Sequence, residues 1–203
     1  MKKFLLPLAF AAAFLAVSVA QAAPVTLTAV LNGPNESPAN ASPGTGFATV
    51  IFDSAAHTLS VTVNFSGLLG TTTASHIHCC TAVPKAGTAG VATEVPTFGG
   101  FPLGVTSGSY SHFYDMSLAA SFNPAFVTSH GGTLASAEAA LFAGMVLGES
   151  YLNIHTSVFP GGEIRGFLVP EPGSLALLAL ALIGLAVASK CKRTGTARVA
   201  IRS

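Results

Sequence analysis

The segment ESYLNIHTSVFPGGEIRGFLV, residues 149–169, predicts a β-hairpin that closes the central domain. Side chains alternate between the two faces of a strand. The first strand therefore places Tyr151, Asn153 and His155 on one face, opposite Leu152, Ile154 and Thr156. After a turn at residues 159–162, the second strand places Glu163, Arg165 and Phe167 on one face, opposite Ile164, Gly166 and Leu168. Two short alternating strands around a Pro-Gly-Gly turn are typical of an antiparallel sheet.

Other segments with the same alternation predict strands at residues 25–31, 46–53, 58–66, 71–78 and 109–118. Residues 81–108 are rich in Gly, Pro and Thr and predict a long ordered loop containing one short strand. Residues 123–127 predict a helical turn, and residues 133–145 predict a helix with an apolar stripe. The pattern predicts an all-β fold: an antiparallel β-sandwich, immunoglobulin-like or superoxide-dismutase-like, with one short helix.

The N-terminal residues 1–22 have the composition of a secretory signal peptide. Lys2 and Lys3 precede an uncharged apolar core, and the segment ends in Ala20-Gln21-Ala22, a small-x-small cleavage pattern. We therefore expect export across the inner membrane and a mature chain that begins at residue 23. The alternative is an uncleaved N-terminal membrane anchor.

A second apolar segment lies near the C-terminus. Residues 172–189 carry no charge, and 18 residues of helix span about 27 Å, close to the ~30 Å hydrocarbon thickness of a bilayer. We predict a transmembrane helix over residues 173–189. The segment after it contains five basic residues and no acid: Lys190, Lys192, Arg193, Arg198 and Arg202. This charge bias predicts a basic cytoplasmic tail, residues 194–203, and a domain that faces outward.

Pro170, Glu171 and Pro172 stand immediately before the apolar segment. This order of Pro-Glu-Pro, apolar helix and basic cluster, residues 170–193, resembles the PEP-CTERM protein-sorting signal of Gram-negative bacteria. The resemblance implies processing by an exosortase-type enzyme, an anchor that is at least transient, and a final location at the cell surface or outside the cell. It also implies extracellular polysaccharide or another surface protein as a partner. The alternative is a single-span tail anchor that is never processed.

Removal of both ends changes the charge of the protein. Between residues 23 and 170 only Lys85 and Arg165 are basic, against seven acidic residues, so the net charge is about −5. An acidic domain with two cations lacks the basic surface that binds nucleic acid. We therefore expect no nucleic-acid partner.

Several motifs in residues 23–169 together resemble the CHRD domain, which is named after chordin and also occurs in secreted bacterial proteins. They are His76-Ile77-His78, the segment YLNIHT at residues 151–156, the segment PGGEIRG at residues 160–166, and the segments AVLNG and ESP near the start, residues 29–33 and 36–38. The resemblance implies an extracellular domain whose biochemical role is not established. Cys79-Cys80 departs from the family pattern, in which the chain continues from the second His toward a Gly.

Three histidines are candidate metal ligands. His76 and His78 lie two residues apart on a predicted strand, so both imidazoles project from the same face. If this strand pairs with the one that carries His155, three imidazoles meet, enough to bind zinc or copper with an open position. The alternatives are three hydrogen-bonded structural histidines and a redox-active metal site.

Cys79 and Cys80 enter an oxidising compartment after export. A vicinal disulfide, an intermolecular bridge, soft metal ligands and a pair of free thiols are all open. Glu163 and Arg165 share a predicted face and favour a structural ion pair over a catalytic acid, since no nucleophile or second carboxylate accompanies them.

No nucleophile triad, phosphate-binding loop or nucleotide fingerprint stands out, so no catalytic residue and no cofactor are predicted. We expect a non-enzymatic, exported binding module tethered or sorted to the cell surface. The alternative function is a zinc- or copper-binding domain, or a metal-dependent redox domain, that uses the three histidines.

Overall fold

The computed structural model of the protein describes residues 23–173. Eight strands make up most of this region: β1 Val25–Asn32, β2 Thr45–Asp53, β3 Thr58–Ser66, β4 Thr72–His78, β5 Gly108–Asp115, β6 Tyr151–Thr156, β7 Ile164–Phe167 and β8 Val169–Pro170. The predicted all-β fold is confirmed. Within residues 23–173 no helix is long and apolar enough to cross a membrane. The predicted signal peptide, nearly all of the predicted transmembrane helix and the basic tail lie outside the described residues.

All eight strands belong to one antiparallel sheet, in the order β4-β6-β7-β1-β2-β3-β5, with β8 beside β1. The prediction was an antiparallel β-sandwich, and the described strands form one continuous antiparallel sheet. The last strand explains why: β7 pairs with β6, and the same chain then turns to pair Val169 with Thr28 of β1 as β8. One ladder pair, Asn32 with Arg165, also joins β1 to β7. The switching strand thus connects what would otherwise be two sheets.

The hydrophobic core lies on one face of the sheet, and the alternation that produces it is clearest in β1 and β3. Four side chains of β3 that were predicted to share an apolar face are all buried: Leu59, Val61, Val63 and Phe65. β1 contributes Leu27 and Leu31 to the same core, and β6 contributes Leu152 and Ile154, each with no exposed surface. At about 1.5–3 kcal/mol for each fully buried large aliphatic or aromatic side chain, these residues dominate the free energy of folding.

Two α-helices, rather than one, pack on the sheet: α1 Pro124–Ser129 and α2 Leu134–Leu147. The hydroxyl of Thr133 accepts a hydrogen bond from the first turn of α2, and Gly148 ends the helix in the left-handed conformation with φ of 74°. Ala137 and Leu141 are fully buried on the face of α2 that meets the core. The predicted helix is confirmed, and the predicted helical turn extends to a six-residue helix.

The hairpin formed by β6 and β7 has both faces buried. The apolar face carries Ile154 and Ile164 into the core, as predicted. The polar face is also largely covered, with Tyr151, Asn153 and Arg165 exposed by only 3–4%. Two loops cover it, residues 33–44 and the long connection 79–107, in which the predicted short strand is reduced to isolated bridges. This covered polar face holds the candidate functional site.

Candidate metal centre

Antiparallel pairing of β4 with β6 brings the three predicted histidines together. His76 lies opposite Asn153, His78 lies opposite Tyr151, and His155 lies opposite Ala74. The three imidazoles therefore share one face of the sheet, and each offers a ring nitrogen within 4.8 Å of the other two. We call His76, His78 and His155 the histidine cluster.

Each imidazole of the cluster is oriented by one backbone carbonyl. His76 Nε2 lies 2.6 Å from the oxygen of Pro96, His78 Nδ1 lies 2.9 Å from that of Ala89, and His155 Nδ1 lies 2.9 Å from that of Pro160. A carbonyl only accepts hydrogen bonds, so each of these ring nitrogens carries the proton and donates it. The tautomer of every ring in the cluster follows from these contacts.

The other nitrogen of each ring carries a lone pair that accepts no hydrogen bond from the described residues. These atoms are His76 Nδ1, His78 Nε2 and His155 Nε2, and all three are buried without a hydrogen-bond partner among the described residues. Buried polar atoms in folded proteins nearly always have partners, so three unpartnered nitrogens at one point are unusual. Histidines that bind a metal ion commonly make the same second contact, in which a carbonyl accepts a hydrogen bond from the other ring nitrogen.

The surroundings of the cluster favour the neutral form of its rings. Burial lowers the pKa of all three imidazoles, and it lowers the pKa of His78 to about 4. The neighbouring rings add to this effect for His76 and His78, because two protonated imidazoles so close together repel each other. Three neutral imidazoles are the form that binds zinc or copper.

Aromatic stacking holds one side of the cluster in place. The ring of Tyr151 stacks on that of His78 with 4.7 Å between centroids and 6° between planes. The guanidinium of Arg165 lies on the Tyr151 ring at 4.7 Å. The hydroxyl of Tyr151 donates to the carbonyl of Ala89, the same carbonyl that orients His78. The stack and the shared carbonyl restrict the rotation of His78.

Cys79 and Cys80 form a vicinal disulfide directly after His78. Of the open alternatives for this pair, the disulfide is the one present in the structure, and it leaves no thiolate to act as a soft ligand. The disulfide packs against Gly144 of α2, where a Cβ atom would overlap both sulfurs. A glycine is therefore required at this contact between helix and disulfide.

Glu163 and Arg165 do not pair with each other, so the predicted ion pair is wrong. Arg165 Nε lies 3.9 Å from a carboxylate oxygen of Glu36, and both side chains are about 95% buried. The carboxylate of Glu163 instead accepts hydrogen bonds from Ser42 and Thr156 on the opposite side of the hairpin. The Gly162 residue, with φ of 131°, precedes Glu163 and breaks the simple alternation that placed the two residues on one face.

Sequence reasoning missed Glu36 as a functional neighbour of the hairpin. Glu36 also accepts a hydrogen bond from Asn153, which lies between His76 and Arg165 in the sheet. Burial raises the pKa of Glu36 to about 7, although Arg165 opposes that shift. In the sequence, Glu36 is a single acidic residue in a loop rich in turn-forming residues. That pattern does not indicate that Arg165, 129 positions away, is its partner.

Comparison with known protein families agrees with this structure. The CHRD domain matches residues 27–168, more than half of the chain, and the PEP-CTERM protein-sorting motif matches residues 168–193. No curated protein and no solved structure matches the chain. The sorting motif indicates export and a surface or extracellular location. The chain belongs to the CHRD domain family and carries a PEP-CTERM sorting motif at the end of that domain.

Proposed function

We propose that this protein is an exported, non-enzymatic binding module that holds one transition-metal ion of the zinc or copper type in the histidine cluster. The ligands are His76 Nδ1, His78 Nε2 and His155 Nε2. The sorting motif supports processing by an exosortase-type enzyme and display at the cell surface. The cluster lies in the domain that would be displayed.

The observation that carries the proposal is the set of three unpartnered ring nitrogens. Each buried polar atom without a hydrogen bond costs about 1–3 kcal/mol, so three of them at one point are a large penalty for a purely structural cluster. A purely structural role accounts for the three hydrogen bonds to carbonyls. It does not account for the three ring nitrogens that have no hydrogen-bond partner. A metal ion would coordinate all three at once.

The ligand set favours zinc or copper over harder cations. Magnesium and calcium prefer oxygen ligands, whereas neutral imidazole suits zinc, copper and nickel. The cation-binding group found among residues 23–173 consists of the three imidazoles alone, without a carboxylate or thiolate. Three protein ligands leave one position for water or a partner's side chain. We assign no catalytic step to that position.

Metal analysis of the full-length protein tests the proposal. After growth in zinc and copper, we expect one metal ion per chain, and loss of that ion in His78→Ala and His155→Ala. The control is His112→Ala, which removes an exposed histidine of β5 and should leave the metal content unchanged. Absence of stoichiometric metal from the folded wild-type protein, or unchanged metal in both cluster variants, would overturn the proposal.

Metal binding should also stabilise the fold. A ligand at 100 times its dissociation constant adds about 2.7 kcal/mol, which raises the melting temperature of a domain of this size by roughly 5–11 °C. We expect that rise for the wild-type protein on addition of zinc or copper, and its absence for His155→Ala. Magnesium at the same concentration serves as the control cation.

Processing of the C-terminus is tested separately, by the intact mass of the mature protein. If an exosortase-type enzyme cleaves at the motif of Pro170, Glu171 and Pro172, the measured mass should be that of a chain without the basic tail, which contains Arg202. A mature protein that retains Arg202 would leave only the tail-anchor alternative. Extracellular polysaccharide and another surface protein stay predicted partners, to be identified from the processed form.

A further inference from the structure

Both cationic side chains of the described region line one open cavity. Lys85 and Arg165 are the two basic residues among residues 23–173, and they meet at a cavity of about 430 Å³. The remaining wall consists of Val30, Pro34, Asn35, Phe167 and Val169. None of the histidine cluster belongs to this wall. The cavity is therefore distinct from the candidate metal centre.

The backbone presents Lys85 to this cavity from a tight turn. Pro84 and Lys85 occupy the centre of a turn in which the amide of Ala86 donates to the carbonyl of Val83. Lys85 has φ of 60°, a conformation that normally favours glycine in a turn. Its own amide donates to Gly148 at 2.8 Å, and its aliphatic stem passes over that glycine. The turn is thus fixed to the end of α2.

Arg165 is held in a single orientation. Its Nε donates to the carbonyl of Asn35, its Nη1 donates to the carbonyl of Gly87 at 3.1 Å, and its guanidinium packs between the rings of Tyr151 and Phe167. These two hydrogen bonds use two of the five N–H donors of an arginine. A guanidinium that is already immobilised loses little conformational entropy when it binds an anion.

The two cations have few acidic partners in a domain that contains an excess of acids. Within the described part of the chain, Lys85 forms no ion pair, and the one carboxylate near Arg165 is Glu36, at 3.9 Å. Glu36 is not part of the cavity wall. The cavity is consequently a positively charged region on an otherwise acidic domain, and it should attract anions.

We infer that this cavity binds a small organic anion, a carboxylate attached to an apolar group. Lys85 and Arg165 would bind the carboxylate, because a guanidinium can donate two parallel hydrogen bonds to its oxygens. Phe167, Val30 and Pro34 would contact the apolar group. Val30 is 61% exposed and is therefore accessible to a ligand. The volume is within the range of small-molecule sites.

Benzoate is a suitable probe, with benzamide as its uncharged counterpart. The full-length protein is titrated with each compound while the NMR signal of the Arg165 Nε–H group is followed. We expect saturable binding of one benzoate per chain and no saturable binding of benzamide. Inorganic phosphate should displace benzoate only at much higher concentration, because it lacks the apolar group.

Substitution of Lys85 isolates the role of charge, since this exposed residue can change without disturbing the core. Lys85→Gln should weaken benzoate binding at least ~10-fold, and Lys85→Arg should restore it. Ser111→Glu on the exposed face of β5 changes the net charge by the same amount and should have no effect. Equal binding of benzamide, equal binding of phosphate, or unchanged affinity in Lys85→Gln would overturn the inference.

Discussion

Replacing Glu163 by glutamine should destabilise the whole domain, because this carboxylate connects three segments of the chain. One oxygen accepts hydrogen bonds from the hydroxyl of Ser42 and the amide of Leu69, both at 2.6 Å. The other accepts from the amide of Gly70 at 3.0 Å and the hydroxyl of Thr156 at 2.6 Å. Glu163 itself has no exposed surface. Four donors thus depend on one buried side chain.

The magnitude follows from the geometry of the four hydrogen bonds. A glutamine offers one oxygen and one NH₂ group, so one pair of donors then faces an NH₂ group. The hydroxyl of that pair can rotate and accept, but the backbone amide cannot, and an unsatisfied buried amide costs about 1–3 kcal/mol. The other bonds lose the assistance of the charge, about 0.5–1 kcal/mol each. With two such bonds, the sum is roughly 2–5 kcal/mol.

Urea denaturation of the full-length protein, followed by circular dichroism, measures this loss. At roughly 2–4 °C per kcal/mol, the melting temperature of Glu163→Gln should also fall by about 10 °C. The matched control is Glu149→Gln, the same change at a partly exposed residue, which should alter stability by less than ~0.5 kcal/mol. Equal stability of the Glu163 variant and the control at pH 7 would refute the reasoning.

The pH dependence gives a second check on the same residue. Burial raises the pKa of Glu163, but the hydrogen bonds from Ser42, Thr156, Leu69 and Gly70 outweigh burial and hold the pKa below the usual 4.5. A carboxyl whose pKa is lower in the folded state stabilises the protein above pH 4.5, and this stabilisation disappears as the pH falls through the folded-state pKa. The deficit of Glu163→Gln should therefore shrink in acid. A constant deficit from pH 7 to pH 3 would contradict the assignment.

Three further outcomes are expected. Gly144→Ala should lower the urea midpoint by an amount equivalent to about 1–3 kcal/mol, because its Cβ overlaps the sulfurs of Cys79 and Cys80. Burial raises the pKa of Glu36 to about 7, although Arg165 lowers it. The stability of the wild-type protein should therefore fall as the pH rises from 4.5 through 7. Glu36→Gln should make stability less dependent on pH in this range. The metal-free protein should lose stability as the pH falls below 6.5, because the folded state lowers the pKa of all three histidines of the cluster. Urea titrations at several pH values measure this loss of stability.

The sequence alone was sufficient for features that depend on local periodicity. The two strands of the closing hairpin, the helix that begins after Thr133 and the shared face of His76 and His78 all follow from the spacing of neighbouring residues. The meeting of His155 with the other two required the additional assumption that β4 pairs with β6. That pairing is present and the three rings meet, whereas metal binding by them stays a prediction.

Features that depend on distant contacts could not be read from the spacing. Ser42 reaches Glu163 across 121 positions, and Arg165 reaches the carbonyl of Asn35 across 130 positions. Loop residues without periodicity supply both partners, so no pattern in the sequence marks them. The single continuous sheet was missed for the same reason, since it depends on the brief pairings of β1 with Arg165, Val169 and Pro170.

The two faces of β6 separate the stability of this domain from its proposed chemistry. Leu152 and Ile154 enter the core, while Tyr151 and His155 point to the covered polar face. Because side chains alternate with a period of two, a slip of one residue in the pairing of β6 would bury the polar set in the core and expose the apolar set. The core therefore fixes the register, and the register places His155 opposite Ala74 of β4, where its ring reaches the other two histidines. The geometry of the histidine cluster is therefore a consequence of hydrophobic packing on the opposite face of the same strand.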